Sequence, residues 1–588
     1  MGTTTAPPPA PPATTSGESE ETLARRRAKL HGRLRKAGGL ALLGAVAFLV
    51  IAPIAFMVMQ SFNIAGLGQP FEPGLDAWQD ATQSQRTLES FGYTFLLAMR
   101  VPVAVIIGGV IAWFLTRTQM KIARFVEYSL WLAFFLPTVP VVLGWIVLAD
   151  PNTGLINEWL ANIPGAPTLD IYSISGLLWV HLTLTTVPIM IIFLSPAFRQ
   201  MDVTLEEAAV MSGAGRVRTL RHISLPLIKL AVLAATVVGF LRCLEVFEVE
   251  RILGTPAGID VYATRIYDQI GSDPPLFSEA MALGVVMLIT LLLLAGVNQV
   301  LSKRWSNVAT VGGRSLRTSV RSTRWADRVV MGVILAALAV GLYLPLSIVL
   351  LGSVRWRFGF FSRGSWTTEH WQATLTDPTL LDSLRNSLVV ASITSILGIM
   401  LYAVLAWVIA RRKLPYTGTL ALLCWLPWAV PGLLLGFAWS SLILGTGVGA
   451  LIYGTLVPLV VVLVIKELPL GVAMLRSAMA QVSPELEESA VMSGAGPTVV
   501  FRRILLPLVI PMVATVFVFT FMMSMRDIAA TVMLATPGTR TMSVLLFEYA
   551  VAGDYESAAV IGLIMAALAS AVAFLALRMM RKYSLVGG

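Results

Sequence analysis

The chain has 588 residues, of which 56% are hydrophobic and 13% are charged, and its mean hydropathy is +0.78. These values exclude a soluble globular protein and indicate several membrane-spanning segments. The net charge of +10 is distributed over loops between apolar segments, so we expect no binding to nucleic acid. Two cysteines are too few for a disulfide framework or a cysteine-based metal site.

The N-terminal region contains no apolar run before the first hydrophobic segment. Its first twenty residues are rich in Pro, Thr and Ala, and a cluster of Lys and Arg follows them. This composition predicts a disordered, basic tail over residues 1–37 rather than a signal peptide. The first hydrophobic segment is therefore expected to be an uncleaved membrane anchor.

Twelve apolar stretches are long enough to cross a bilayer, since about 20 helical residues span its hydrocarbon core. The first six are predicted at 39–60, 91–115, 127–149, 174–197, 226–248 and 279–301. The second six are predicted at 328–353, 384–410, 417–444, 452–477, 507–527 and 557–580. We therefore predict an all-α polytopic membrane protein with twelve transmembrane helices in two parallel, pseudo-symmetric repeats of six. The repeats occupy 38–302 and 328–588, and a basic linker over 303–327 joins them.

The distribution of basic residues predicts the orientation, because cytoplasmic loops are enriched in Lys and Arg. Basic residues cluster before the first span, in alternate loops and after the last span, whereas residues 150–173 contain none. This pattern places both termini in the cytoplasm. Loops at 251–265 and 355–363 are expected outside and contain some Arg, so the rule holds for the whole chain rather than for every loop.

The hexapeptide VMSGAG occurs twice, at Val210–Gly215 and again 281 positions later at Val491–Gly496. The surrounding segments, Leu205–Ile228 and Leu486–Val509, are identical at 15 of 24 positions. Both copies fall in the predicted cytoplasmic loop between the fourth and fifth spans of their half. The repeats are therefore parallel and related by a pseudo-two-fold axis along the membrane normal.

Local sequence signals predict that each copy forms a helix–bend–helix elbow. An N-cap residue and early acidic residues begin the first helix, and glycine permits a left-handed bend at its end. A second, basic helix then runs to the proline expected to open the next span. The two elbows begin at Asp202 and Ser483, bend at 213–215 and 494–496, and reach Pro226 and Pro507.

The elbow resembles the E-A-A-x3-G-x9-I-x-L-P loop of permease subunits of bacterial ATP-binding cassette importers. The second copy differs from that pattern only by Ser in place of the first Ala. The matching coupling residues are Glu207, Ala208, Ala209 and Gly213 in the first copy and Glu488, Ser489, Ala490 and Gly494 in the second. The resemblance covers both six-helix repeats but not the N-terminal tail.

This resemblance implies a fused pair of permease domains in the bacterial inner membrane, in contact with the lipid bilayer. Each elbow would dock into a groove on one of two ATPase subunits, where Glu207 and Glu488 either meet a basic residue or only favour their own helix. The chain lacks the G-x4-G-K-[ST] phosphate loop, so ATP and Mg²⁺ are expected on the partner subunits and no cofactor on this chain. An extracytoplasmic substrate-binding protein is the other expected partner.

Two other functional classes remain open at this point. Twelve spans in two parallel halves also occur in ion-coupled secondary transporters, which need no ATPase. A polytopic membrane enzyme would need convergent catalytic groups. The four histidines are scattered without metal-ligand spacing, so we predict neither catalytic nor metal-binding residues.

The third span of each half helps to narrow the permease group. Leu136–Trp145 (LPTVPVVLGW) and Leu426–Trp439 (LPWAVPGLLLGFAW) look most like permeases for ferric iron, thiamine, 2-aminoethylphosphonate or polyamines. Segments 244–267 and 525–538 resemble the ferric-iron type best. Prolines in both third spans also predict kinks. They are Pro137, Pro140, Pro427 and Pro431.

Charged residues inside the predicted spans suggest where the pathway lies. Lys466 and Glu467 lie near the middle of the tenth span, where ionisable groups are costly and usually face a cavity or a partner. A structural ion pair between helices is the alternative. Glu245, Glu248 and Glu250 crowd the outer end of the fifth span, where they could attract a cation or only be hydrated.

At the offset of the repeat, Glu245 aligns with Arg526. If the fifth and eleventh spans flank the pseudo-two-fold axis, these opposite charges could meet across it near the outer membrane edge. The sequence thus suggests a gate in which Glu245 pairs with Arg526 when the pathway is closed to the outside. The alternative is that Arg526 pairs with Asp527 and Glu245 is hydrated.

Overall fold

The computed structural model describes residues 16–65, 69–118, 122–201, 203–305, 325–361, 366–411, 415–447 and 449–584, and nearly all of this part of the chain is helical. The helices of the first half are α1 (Ser16–Gln60), α2 (Asp76–Gln83), α3 (Gln85–Ala98), α4 (Arg100–Arg117), α5 (Ala123–Phe135), α6 (Thr138–Ala149), α7 (Leu155–Leu160), α8 (Ile174–His181), α9 (Val187–Gln200), α10 (Val203–Met211), α11 (Arg216–Thr219), α12 (Leu225–Leu227), α13 (Lys229–Glu245), α14 (Tyr262–Ile270) and α15 (Phe277–Trp305). Those of the second half are α16 (Trp325–Leu338), α17 (Leu344–Gly352), α18 (Glu369–Thr376), α19 (Pro378–Arg411), α20 (Thr417–Trp425), α21 (Gly432–Leu444), α22 (Val457–Gln481), α23 (Pro484–Met492), α24 (Pro497–Val500), α25 (Leu506–Leu508), α26 (Ile510–Arg526), α27 (Met542–Ala552) and α28 (Tyr555–Ser584).

The described helices include eight that are long and apolar enough to cross a membrane, and twelve spans result if each of four bent helix pairs counts as one. Each of the twelve overlaps a predicted span, so the predicted helical membrane architecture is confirmed. The eight unbent spans are Ala37–Gln60, Gln85–Arg117, Ile174–Arg199, Phe277–Leu294, Asp327–Gly352, Pro378–Arg411, Val457–Gln481 and Tyr555–Leu575.

The third span of each half is not one helix but two helices that meet almost at a right angle. The angle is 100° between α5 and α6 and 103° between the α20 region and α21. Pro137 and Pro431 stand at the breaks, and the residue before each is extended, with ψ of 136° and 118°. Proline removes a backbone donor and drives the preceding residue out of the helical region. The predicted kinks are therefore present at Pro137 and Pro431 and are sharp enough to interrupt the span, whereas Pro140 lies in the first turn of α6 and Pro427 lies in a 3₁₀ turn before the second break.

A second effect of proline recurs in four of the five described π-helical turns, those after which an α-helix continues. A single π-helical turn ends two residues before the proline at 188, 226, 345 and 507. These turns are Leu182–Thr186, Leu220–Ser224, Ala339–Tyr343 and Phe501–Leu505. Proline cannot donate to the carbonyl four residues back and its ring collides with it, and the wider turn leaves room for that carbonyl. The helix thus passes through the proline instead of ending there.

The prediction that Pro226 and Pro507 open the fifth and eleventh spans is accordingly wrong. Each proline lies inside the last helix of its elbow, and the chain turns two residues later. The bends are 77° and 75° and lie at Ile228 and Val509, where φ is −98° and −99°. The spans α13 and α26 begin one residue after these bends.

The two halves are interlocked through their first helices. Helix α1 of the first half packs against α20 and α21 of the second, while α17 of the second half packs against α6 of the first. All twelve residues of α6 are buried. A methyl group added to Gly144 on α6 would lie 2.3 Å from the carbonyl oxygen of Pro345, which shows how closely α17 approaches. The six-helix repeats are separate in sequence but share their packed interior.

The N-terminal region differs from the sequence expectation. Helix α1 begins at Ser16, so residues 16–37, which we expected to be disordered, are helical. Residues 1–15 and most of the predicted linker, residues 306–324, lie outside the described part of the chain. The predicted boundaries of the repeats at 38 and 328 therefore remain predictions.

The close contact at Gly144 leads to a test of the interlocked packing. Gly144→Ala should destabilise the folded protein by about 1–3 kcal/mol, because the added methyl group must displace backbone atoms of α17. Thermal unfolding in detergent measures this change. Gly332→Ala is the matched control, since nothing lies within 4 Å of the position its methyl group would take. Equal unfolding temperatures for the two variants would contradict the close packing of α6 on α17.

Candidate functional sites: two elbows and a charged cavity

The two elbows have the same backbone geometry. Gly213 and Gly494 have left-handed φ angles of +80° and +83°, as predicted for the bend. The next residue of each elbow donates its N–H to the carbonyl five residues back, from Ala214 to Ala209 at 2.9 Å and from Ala495 to Ala490 at 3.0 Å. This arrangement is the Schellman motif, which satisfies carbonyl groups at a helix end. Glycine is required because a left-handed conformation is costly for residues with a Cβ atom.

The N-terminal ends of the elbows are described only in part. The Ser483 side chain accepts a hydrogen bond from the backbone N–H of Glu485 at 3.3 Å, as expected of an N-cap. Asp202 lies outside the described residues. The predicted cap at Ser483 is thus present, and the cap at Asp202 remains a prediction.

The outer faces of the elbows are exposed. Glu207 and Glu488 lie on these faces, and the neighbouring Ala208 and Ser489 are exposed as well. Ala209 and Ala490 are partly buried. A methionine ends the first helix of each elbow, and these side chains, Met211 and Met492, are 89% and 88% exposed. An exposed surface that combines carboxylates with a protruding apolar side chain is suited to contact with another protein.

The glutamate before Glu207 faces inward and holds the first elbow against the membrane-spanning helices. The Glu206 carboxylate lies 3.0 Å from Nε of Arg117, and both side chains are buried. It also accepts hydrogen bonds from the indole N–H of Trp113 at 3.3 Å and from the hydroxyl of Ser224 at 2.6 Å. Glu206 thereby joins α10 to the end of α4 and to the second arm of the elbow.

The second half repeats this contact. The Arg411 guanidinium at the end of α19 lies 2.8 Å from the Glu487 carboxylate. It also donates to the carbonyl oxygens of Met479 at 2.7 Å and Val482 at 2.5 Å, at the junction of α22 and α23. We refer to the Arg117–Glu206 and Arg411–Glu487 pairs as the elbow clamps.

Sequence analysis missed the elbow clamps, although a signal for them exists. Both second spans end in Trp-x3-Arg, at 113–117 and 407–411, and each arginine meets the glutamate that precedes the E-A-A or E-S-A triplet. The signal is weak because the two Trp-x3-Arg segments do not align at the offset of 281 positions that aligns the elbows. Only the fold brings the two segments together.

A cavity of about 170 Å³ lies between the halves and is lined by charged groups from both. Its cationic side chains are Arg100, Arg242, Lys466 and Arg526, and its carboxylates are Glu245, Glu248, Glu467 and Asp527. Thr185 and Thr186, which align with Lys466 and Glu467 in the repeat, line it as well. Most of the charged residues predicted within the spans therefore meet in one cavity.

Lys466 links several elements at this cavity. Its Nζ lies 3.4 Å from the carboxylate of Glu245 and is hydrogen-bonded to Asp527. Arg242 also pairs with Glu245, at 3.1 Å. Glu467 is only 5% exposed and lines the same cavity as Arg242 and Lys466. The adjacent charges of the tenth span are thus part of an intramembrane polar network.

The expected direct pair between Glu245 and Arg526 is not formed in this conformation. Glu245 contacts Arg242, Lys466 and the backbone N–H of Gly432, at 2.9 Å for the last. Arg526 instead donates to the backbone carbonyls at 134 and 136. Asp527 pairs with Lys466 rather than with Arg526, so the alternative pairing suggested by the sequence is not formed either.

The remaining carboxylates near the cavity have different surroundings. Glu248 accepts a hydrogen bond from the Thr138 hydroxyl. Glu250 is buried and lies 2.8 Å from Nε2 of His181, so it is not among hydrated groups at a membrane exit. Within the described ranges, no three His, Cys, Asp or Glu side chains are arranged to hold a metal ion. Cys243 and Cys424 are free and buried, and Cys243 lines the cavity.

Comparison with known proteins connects this architecture to a transport family. Residues 403–584, from α19 to α28, match the family described as the binding-protein-dependent transport system inner membrane component. This range includes the second elbow, Arg411 and the residues that the second half of the chain contributes to the cavity.

Similar proteins extend the match over both halves. The chain is 25% identical over 481 residues to a ferric transport system permease protein of Actinobacillus pleuropneumoniae, covering 80% of this chain and 68% of that one. It is 24% identical over 508 residues to a putative ferric transport system permease protein of Haemophilus influenzae, covering 84% and 76%. A crystal structure of a bacterial ABC transporter that imports alginate aligns with a TM-score of 0.41 at 20% identity, over 47% of this chain and 99% of that chain.

The family match and the ferric relatives confirm the resemblance that the repeated elbow predicted. They also agree with the all-helical membrane architecture. Residues 403–584 match the inner membrane component of binding-protein-dependent transport systems, and most of the chain is similar, at about 25% identity, to ferric transport permease proteins.

Proposed function

We propose that the chain is a fused two-domain permease subunit of an ATP-driven, binding-protein-dependent importer, with one pathway between its two halves. The observation that carries this proposal is the duplicated elbow. Two exposed helix–bend–helix segments share a glycine in the same left-handed conformation and an arginine–glutamate clamp at the base. A single protein with two such elbows is suited to a motor made of two equivalent subunits.

The partners follow from this arrangement. Each elbow docks into a groove on one ATPase subunit through its exposed face, which includes Glu207 and Met211 or their counterparts Glu488 and Met492. ATP and Mg²⁺ bind to the ATPase subunits, because this chain lacks a phosphate-binding loop. A substrate-binding protein delivers the substrate on the opposite face, in keeping with the family that the second half matches.

The elbows and the basic loops also determine the proposed orientation in the membrane. The elbows face the cytoplasm, where ATP is available, and this agrees with the cytoplasmic termini predicted from the basic loops. The protein is accordingly placed in the inner membrane of a bacterium. Transport proceeds by alternating access, in which closure of the ATPase dimer draws the elbows together and opens the cavity outward.

Ferric iron is the substrate type that the relatives favour. Thiamine, polyamines and 2-aminoethylphosphonate are the alternatives within the same permease group. The cavity carries equal numbers of cationic and anionic side chains, and several of these are paired with one another. We therefore propose that selectivity lies chiefly in the binding protein and that the cavity passes the substrate without strong coordination.

The central experiment is transport in proteoliposomes that contain this chain and its ATPase, with the binding protein and radioactive ferric iron outside. Uptake should require ATP on the elbow side, and the loaded binding protein should stimulate hydrolysis. Uptake driven by an ion gradient without ATP would instead identify a secondary transporter. Loading the binding protein with thiamine, a polyamine or 2-aminoethylphosphonate tests the substrate separately from the mechanism.

The bend of each elbow provides a test of coupling. Replacement of both Gly213 and Gly494 by Val should reduce ATP-dependent uptake by about tenfold or more, because left-handed φ costs a residue with a Cβ atom roughly 1–2 kcal/mol at each elbow. Membrane insertion should be unchanged. The matched control replaces Gly215 and Gly496 by Val. These glycines lie in the same bends, but their φ angles are not left-handed and the space around them is open. Normal uptake by the first variant at equal expression would contradict the docking role.

The elbow clamps provide a separate test. Arg117→Met leaves Glu206 as a buried carboxylate without its cation, a loss that costs about 3–5 kcal/mol for buried pairs. We expect more ATP to be hydrolysed per substrate transported, because the elbow is no longer fixed to α4. Arg117→Met combined with Glu206→Gln should recover part of the coupling, since the unpaired charge is then removed.

The control for the clamp is Arg199→Met. Arg199 pairs with Glu127 at 2.6 Å, but its side chain is 57% exposed, so the loss should cost less than about 1 kcal/mol. The ratio of ATP hydrolysed to substrate transported should stay at the wild-type value. A clamp variant that behaves like this control would show that the elbow moves independently of the second span.

A further inference from the structure

The fifth span of the first half ends on the broken third span of the second half. Glu245, the last residue of α13, accepts a hydrogen bond at 2.9 Å from the backbone N–H of Gly432, the first residue of α21. The first N–H groups of a helix have no partner within that helix and form its positive end. A carboxylate is therefore the appropriate group at this position.

The space around Gly432 shows how closely the halves approach here. A methyl group added to Gly432 would lie 2.6 Å from Nζ of Lys466 and 2.9 Å from the carboxylate of Glu245. Lys466 in turn bridges Glu245 and Asp527. Glu245, Lys466 and Asp527 thus connect the ends of α13 and α26 to α22, next to the break before α21.

The fifth span of the second half makes the reciprocal contact. Arg526, the last residue of α26, donates to the carbonyl oxygens of Phe134 and, at 3.2 Å, Leu136. These carbonyls belong to the last turn of α5 and to the break that follows it. The last carbonyls of a helix form its negative end, so a cation is the appropriate group. Its guanidinium also lies 5.8 Å from the centre of the Phe134 ring.

These two contacts explain why equivalent positions of the repeat carry opposite charges. Glu245 meets the start of a helix and Arg526 meets the end of one, and each does so in the opposite half. We propose that Glu245 and Arg526 form a crossed latch, in which each charge holds the broken third span of the other half in place. The two contacts together keep the cavity closed, and loss of either one makes opening easier.

The crossed latch deepens the proposed function, since it concerns the same pathway, but its test requires neither ATPase nor substrate. Cys243 lines the cavity and is buried, so its thiol reports whether the cavity is accessible. A Cys424→Ala background makes it the sole cysteine of the chain. The measurement is the rate at which a small, membrane-impermeant methanethiosulfonate labels Cys243 in the purified, reconstituted chain.

Loss of either contact should open the cavity more often. Glu245→Gln and Arg526→Gln should each raise the labelling rate of Cys243 by roughly tenfold, the change expected from losing one charge-assisted hydrogen bond. Arg526→Lys keeps a cation at the end of α5 and should change the rate much less. If Glu245→Gln and Arg526→Gln both label at the rate of the parent protein, whether that rate is fast or slow, the latch is overturned.

The exchanged variant, Glu245→Arg with Arg526→Glu, separates the crossed latch from a direct ion pair. A direct pair would be restored by the exchange, and labelling would return to the parent rate. The crossed latch predicts faster labelling than in either single Gln variant, because each new charge faces a helix end of the same sign. Recovery of slow labelling would therefore overturn the proposal.

Two controls show whether the effect is local. Arg540→Gln removes a partner of Glu548 from a half-exposed pair that does not contact a third-span break, and labelling should stay at the parent rate. In a Cys243→Ala background, the other buried cysteine, Cys424 in α20, should remain protected in every latch variant. Parallel exposure of Cys424 would indicate general loss of packing and would also overturn a local latch.

Discussion

The breaks in the two third spans expose backbone N–H and C=O groups that need partners, and this need determines which charges lie at the centre of the protein. Pro137 and Pro431 interrupt the third span of each half, which leaves N–H and C=O groups at the breaks without partners in their own helices. The charges at the ends of the neighbouring spans contact these groups. Glu245 accepts from the start of α21 and Arg526 donates to the end of α5. The positions of these two charges therefore follow from the breaks that proline introduces.

The same residue type has a different effect at the elbows. Where a π turn precedes Pro226 or Pro507, the helix continues through the proline, and the sharp bend follows at Ile228 or Val509. The second arm of each elbow therefore remains one helical piece up to the start of the fifth span. With the clamp at its base, an elbow is attached both to the second span and to the fifth. A force applied at its tip would reach both.

The sequence predicted the spans and the elbow bends because apolar length and glycine chemistry are local properties. It did not reveal the exchange of α1 and α17 between halves, since periodicity shows that a helix is buried but not by which neighbour. The partners of Glu245 and Arg526 were missed for a related reason. Alignment of a repeat identifies symmetry-equivalent positions, but equivalence alone does not bring two side chains together. The direction of each break, which decides the partner, depends on tertiary packing.

The degree of symmetry differs between the elbows and the cavity, and the proposed partners account for this difference. The elbows keep an identical hexapeptide, and each would face one of two equivalent ATPase subunits. In the cavity, Lys466 and Glu467 stand where the first half has Thr185 and Thr186, and all four residues line the same space. One cavity that both halves line does not require the same residues on its two sides. The repeats can therefore differ in charge where they line the same cavity.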